Sequence, residues 1–496
     1  MNVQQFLDHH GINSNPFAEE DAQTDPVFKD HCLNRIYHPT WDKVYGDPSE
    51  PATSLVFGEK GSGKTAMRLQ ILAHLQQFNS KHDGERVFVV DYDDFNPFLD
   101  RFRETLGGSR RKPRRALAEW KLWDHMDSIL SLAVTSLVDR VLDVKQPSGV
   151  AGIVHAGDID RLDRHQSRDL LLLAACYDHS MAETFQGRWH RLRRRLKFRT
   201  FLMHWPPAVG IAMTLLVAGV IVGQDWWESL RSFWTYAFIA LGWLPMIART
   251  WKWFWKARRI VRRLRVGNRE TKQLRKVLTQ FSPAQIGGQP LPDKERTDDR
   301  YELLLKLQGI LKTLGFSGII ILVDRVDEPH LINGQAEAMQ QFLWPLLDNK
   351  FLKHPGLGFK LLLPIELEQF LDREDREFFQ RARLDKQNMV PSLEWTGEAL
   401  FDVTAARIKA CTADGQQPAL SSLFGDSVSE RRLIEAFRSL RVPRHLFKFL
   451  YRLFVAHCNA FTDENPVWTI SSEMFESTLA VYLRDQDQVD RGLRAG

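Results

Sequence analysis

The chain has 496 residues, enough for two or three domains, and its 44% hydrophobic and 26% charged content is that of globular proteins with proper cores. Its 4 cysteines, at positions 32, 176, 411 and 458, have no CxxC or other ligand spacing, which speaks against a disulfide framework or a zinc site and for reduced thiols. The net charge of +5 invites a nucleic-acid partner, but it is local: residues 188–200 hold 7 Lys/Arg and no acid, and residues 249–276 hold 12 with a single acid, Glu270. These two runs carry +18 and leave the rest of the chain at −13, which makes nucleic acid an unfavoured partner.

In chain order, residues 1–53 form a mixed lead-in expected to cap a ligand site. The start, Met1 to Phe6, lacks a basic run followed by an apolar one, so no signal peptide is expected. Ser54-Leu55-Val56-Phe57 predicts a strand, and Met67, Ile71, Leu72 and Leu75 predict a helix over residues 66–77. Between them lies Gly58-Glu59-Lys60-Gly61-Ser62-Gly63-Lys64-Thr65, which fits G-x-x-x-x-G-K-[ST] at every fixed position. In such a loop the glycines let backbone N–H groups face a phosphate, and the helix N-terminus adds partial positive charge. Lys64 is then expected at the β/γ-phosphates and the Thr65 hydroxyl on Mg²⁺, with ATP or another nucleoside triphosphate as ligand.

Arg86–Tyr92 predicts a second buried strand, with Asp91, Asp93 and Asp94 at its polar end. From Arg101 to Gly187 the pattern is helical: Leu117 to Val134 trace one helix, Ser167–Ala182 a second, and Gly149–Gly157 a loop. Two uncharged stretches follow, spans of about 203–223 and 232–249, joined by a tight turn with Trp226 and Trp227 and flanked on both outer sides by Lys and Arg. This predicts a transmembrane hairpin through a lipid bilayer at residues 201–250, with both termini on the cytoplasmic side of an inner (plasma) membrane. The run Arg258–Arg265 is expected against anionic lipid. Gln280–Arg300 reads as a linker, and Tyr301–Leu314 as a helix.

Gly318 to Val323 is a wholly apolar strand that ends in Asp324-Arg325-Val326-Asp327-Glu328. Such a strand belongs inside a parallel sheet, with its C-terminal end at the ligand. Asp324 is the expected holder of Mg²⁺; Glu328 and Asp327 are candidates to orient and deprotonate an attacking water, with Glu328 preferred. Phe359–Pro364 predicts the next strand, with Glu366 near its tip, and Met389–Trp395 a short one. Arg381 and Arg383 fit either an arginine supplied across a subunit contact or a solvated helix face. After residue 397 the chain reads as helical, and Arg444, following Pro443, is placed either towards a γ-phosphate or on the surface.

This order of motifs resembles the KAP family of P-loop NTPases, in which two membrane helices lie between the phosphate-loop and acid motifs. It also resembles the wider group of STAND and origin-recognition-like ATPases, whose helical lid carries a Pro-Arg step like Pro443-Arg444. The chain departs from the KAP pattern where that family has two adjacent Asp after the strand, which leaves open which acid activates water. The resemblance implies an α/β, ASCE-type P-loop NTPase core with a parallel sheet, interrupted by the hairpin and followed by a helical lid. The expected division is 1–53 cap, 54–187 first part of the core with a helical insertion, 188–276 hairpin, 277–396 second part of the core and 397–496 lid. The implied activity is hydrolysis of ATP with Mg²⁺ as a membrane-anchored switch or motor, in a homo-oligomer or with a protein partner. Bacterial relatives of this kind imply a role in anti-phage defence or signalling. The alternatives are an ATPase that remodels nucleic acid or protein, and a nucleotide-gated membrane scaffold.

Overall fold

A computed structural model describes residues 1–144, 154, 156–180, 183–199, 205–224, 226–228, 232–347, 349–382, 384, 387–412 and 418–490. Five strands form one sheet, all parallel: β1 (Ser54–Gly58), β2 (Arg86–Tyr92), β3 (Phe316–Val323), β4 (Leu357–Pro364) and β5 (Asn388–Val390), in the order β2-β3-β4-β1-β5. The three inner strands are almost wholly buried on both faces, as their largely apolar sequences require. β4 therefore lies between β1 and β3, and the ends of all three open on one edge of the sheet.

Lys360 breaks the apolar run of β4 and is only 1% exposed. Its ammonium donates to the carbonyls of Val44 (2.7 Å) and Tyr45 (3.0 Å), and burial lowers its pKa to about 8. The bond ties the lead-in to the sheet, where Trp41 and Val44 share a core with Val56, Met67 and Ile71. The first residues go elsewhere: Phe6, Leu7, Ile12 and Phe17 pack into the C-terminal helices. The lead-in is thus anchored at both ends, and its middle, from Glu20 to His38, lines the cavity described below.

Between β2 and β3 the chain builds a helical insertion and a hairpin. The single helix expected over Leu117–Val134 is two, Pro113–Ala118 and Leu122–Val141, because the Asp124 carboxylate accepts the Lys121 N–H (2.9 Å) and starts a new helix. The second expected helix starts earlier and stops sooner, at Arg164–Tyr177. Asp163 and Gln166 there exchange bonds in a capping box. The loop at Gly149–Gly157 lies mostly outside the described residues. The expected linker before β3 is packed: Phe281, Ile286 and Leu291 are buried, and Arg300 is 0% exposed beside Asp127.

The hairpin consists of helices Trp205–Gly223 and Phe233–Arg263. Gly210 and Gly242 let them approach; a Cβ on Gly210 would meet Trp243 at 2.7 Å and one on Gly242 would meet Met213 at 2.5 Å. Trp243 Nε1 also donates to Thr214 Oγ1 across the pair at 3.2 Å. Among the described residues, no helix is long and apolar enough to cross a membrane. The second helix continues into the basic run, and there Trp253, Ala257 and Ile260 are buried. Within the run Arg258–Arg265, Ile260 and Leu264 are buried while Arg258, Arg259, Arg262 and Arg263 are exposed. Arg265 pairs with Asp124 at 2.5 Å, which fastens the base of the hairpin to the insertion.

Beyond the sheet, helices Gly397–Ala410, Glu430–Leu440, Pro443–Ala460 and Ser472–Asp490 surround their own core, with Leu400, Leu433, Phe437 and Phe449 fully buried.

Candidate functional site

The loop after β1 turns through two left-handed glycines, Gly61 (φ 90°) and Gly63 (φ 97°), before the helix Lys64–Lys81 begins. Only glycine takes these angles without strain. Lys64 folds back over the loop, its Nζ donating to the carbonyls of Gly58 (2.8 Å) and Glu59 (2.9 Å). Burial lowers its pKa, while the carboxylates of Asp324, Asp327 and Glu366 raise it. Glu59 and Lys60 form the crest of the loop, and Lys60 is among the residues lining the cavity described below. The loop is clamped from outside: Trp395 Nε1 donates to the Ser62 carbonyl at 2.8 Å, and the Arg444 N–H approaches the Gly61 carbonyl at 3.4 Å.

Although β4 separates β1 from β3, Thr65 Oγ1 donates to Asp324 Oδ2 at 3.1 Å. Asp324 is 2% exposed, and burial raises its pKa against the opposing pull of Arg68. Its other oxygen accepts the Arg325 N–H at 2.9 Å, which holds Arg325 in a left-handed conformation (φ 59°) that costs a non-glycine residue about 1–2 kcal/mol. The next two acids, Asp327 and Glu328, both line the cavity described below. Asp327 is half-buried and acts on Lys64. Glu328 is exposed and paired with Arg325 (3.4 Å); burial raises its pKa and Arg325 opposes. Glu366, after β4, also faces the cavity.

A cavity of ≈ 370 Å³ opens in front of the loop, walled by the lead-in, the strand ends and the lid. One end is acidic and cationic, with Lys64, Thr65, Asp324, Asp327, Glu366 and Arg444; the other is largely apolar, with Phe28, Ile36, Met67, Leu393, Trp395 and Phe447. Arg444 Nε is buried with no hydrogen-bond partner. Arg383 lies outside the described residues, as does the side chain of Arg381. Among the described residues, no group of three or more His, Cys, Asp or Glu is arranged to hold a metal by itself. Thr65 and Asp324 place two hard oxygens 3.1 Å apart, the donor type that suits Mg²⁺.

Sequence reasoning missed the neighbour that organises the acids. Arg68 is 3% exposed; its Nη1 donates to Asp91 (2.7 Å) and Asp93 (2.5 Å), and its Nε lies 3.5 Å from Asp324 Oδ2. The signal was present: Arg68 stands three residues before Ile71 in the buried stripe of the helix, and a charge there requires acids opposite. His38 was also missed; it donates to or accepts from Thr40 and contacts the Glu394 carbonyl at 2.8 Å, edge-on to Trp395. No protein-family model, curated protein or solved structure matches the chain.

Proposed function

We propose that the chain is a membrane-anchored P-loop ATPase. The observation that carries this is the meeting of Thr65 and Asp324, from opposite sides of β4, beside a glycine loop ending in Lys64. The strand order, with one strand between the loop strand and the acid strand, fits the ASCE-type core. In this reading the loop N–H groups and Lys64 bind the β- and γ-phosphates, and Lys64 exchanges its two carbonyl partners for phosphate oxygens. Thr65 and Asp324 would hold Mg²⁺, whose positive charge would offset that of the phosphates. Asp327 or Glu328 orients the attacking water. Arg444, already seated on Gly61 with an unsatisfied Nε, meets the γ-phosphate and couples its loss to the lid.

The anchor rests on the hairpin as a pair. Of the 21 exposed large apolar side chains among the described residues, 18 lie between Val209 and Trp255, so their apolar surface is concentrated there. The first helix has 19 residues and no charge. A glycine crossing with an interhelical hydrogen bond is how helices associate in lipid.

The test is ATP hydrolysis and binding by the full chain in detergent and in lipid, with Lys64→Ala, Asp327→Asn and Glu328→Gln beside wild type. Lys64→Ala loses binding; the water-orienting acid is the one whose neutral variant binds ATP without turning it over. Nucleotide binding that survives Lys64→Ala unchanged sinks the site.

A further inference from the structure

Three carboxylates from two strands converge on one buried guanidinium behind the phosphate loop. Asp91 and Asp93 leave the end of β2 and Asp324 the end of β3, its neighbour in the sheet, while Arg68 lies on the helix that the loop starts. Asp324 Oδ2 is shared, accepting from Thr65 Oγ1 at 3.1 Å and facing Arg68 Nε at 3.5 Å. That Nε makes no hydrogen bond, so charge alone holds Asp324 on that side. Its other oxygen is held by the Arg325 N–H at 2.9 Å, so the carboxylate is fixed at both ends. A purely structural arginine would be satisfied by the short bonds to Asp91 and Asp93. The third contact, to the oxygen that faces Thr65, has no structural need.

We propose that Arg68 is a positioning residue for the metal–nucleotide complex: it fixes Asp324 against Thr65 and makes Asp91 and Asp93 the supports of that alignment. The inference rests on the proposed ATPase reading of the site. The guanidinium fork is required, because Nη1 reaches β2 while Nε reaches β3; a lysine ammonium supplies the charge at one point only. Arg68 with its acids carries net negative charge, which a divalent cation at Thr65 and Asp324 meets.

The experiment uses full-length protein in detergent, ADP, and Mn²⁺ as the paramagnetic stand-in for Mg²⁺, with bound Mn²⁺ read by electron paramagnetic resonance. The variants are Arg68→Lys, Arg68→Met, and Arg68→Met combined with Asp91→Asn and Asp93→Asn. Arg68→Met is expected to weaken nucleotide-dependent Mn²⁺ binding roughly 10–100-fold, the usual cost of losing the partner that orients a metal ligand. Arg68→Lys recovers part of it. The triple variant removes the stranded carboxylates, so its melting temperature returns towards wild type while Mn²⁺ binding stays weak; it carries the test if Arg68→Met does not fold. Wild-type Mn²⁺ affinity in the triple variant overturns the proposal, since Arg68 then only neutralises its neighbours. A wild type that binds no nucleotide overturns the ATPase reading, and this inference with it.

Discussion

The pair Asp127–Arg300 joins the helical insertion to the helix that leads into β3, and its contribution can be measured. Both side chains are 0% exposed, with Arg300 Nη2 and Nε donating to the two Asp127 oxygens at 3.0 and 3.1 Å. Tyr177 adds an O–H bond to Asp127 Oδ1 at 2.7 Å. Asp127→Leu leaves the guanidinium buried with only the carbonyls of Lys294 and Arg296 as partners. Stripping one partner from a buried ion pair costs about 3–5 kcal/mol, and Arg300→Leu should cost about the same from the other side. The double variant buries no charge; what it loses is the partner of the Tyr177 hydroxyl, about 1–3 kcal/mol. The two single costs therefore exceed the double cost by on the order of 5 kcal/mol. The assay is guanidinium unfolding followed by tryptophan fluorescence at fixed detergent, as a double-mutant cycle. Additive losses, or a single variant costing under about 1 kcal/mol, would refute the argument that this pair is dry and mutually dependent.

His125 is wholly buried between the Tyr92 hydroxyl (3.0 Å) and the Phe342 carbonyl (2.7 Å), and burial lowers its pKa from 6.5 to about 4. Burial lowers that of His179 to about 3. A depressed folded pKa gives stability that is present above pH 6.5 and is lost as pH falls towards those values, roughly 3 kcal/mol for His125 at 1.36 kcal/mol per pKa unit. Melting curves between pH 7 and 4 should show this slope, and His125→Asn should flatten it. Leu215→Asp with Leu216→Asp, on the exposed face of the first hairpin helix, should abolish flotation with liposomes; retained flotation means the anchor lies elsewhere. Gly61→Ala puts a Cβ 2.6 Å from Arg444 Cβ at φ 90°. It should loosen the lid, read as faster proteolysis between β5 and the helix from Gly397, and an unchanged cleavage pattern would count against the clamp. 

Local patterns made much of this legible in the sequence. The loop from Gly58 to Thr65 has a fixed backbone requirement, and β2 spans the expected Arg86–Tyr92, because both signals lie within a few consecutive residues. The helix Glu430–Leu440 was likewise set by its own apolar stripe and its Ser429 cap, which accepts the Arg432 N–H. The hairpin helices were legible from charge alone.

The rest depended on residues far apart in the chain. Nothing near Asp324 indicates that β4 separates it from the phosphate loop, or that Thr65, 259 positions away, bonds to it. The buried stripe of its helix flags Arg68 as a charge that needs acids, but only the fold shows that β2 and β3 supply three. Likewise only the fold shows which side of the basic run after the hairpin is covered, with Ile260 and Leu264 buried. Sequence determines backbone preferences and apolar periodicity, because these act over one or two turns of chain. Which charges are neutralised depends on what a fold brings within about 4 Å, and a buried charge is tolerated only where such a partner arrives.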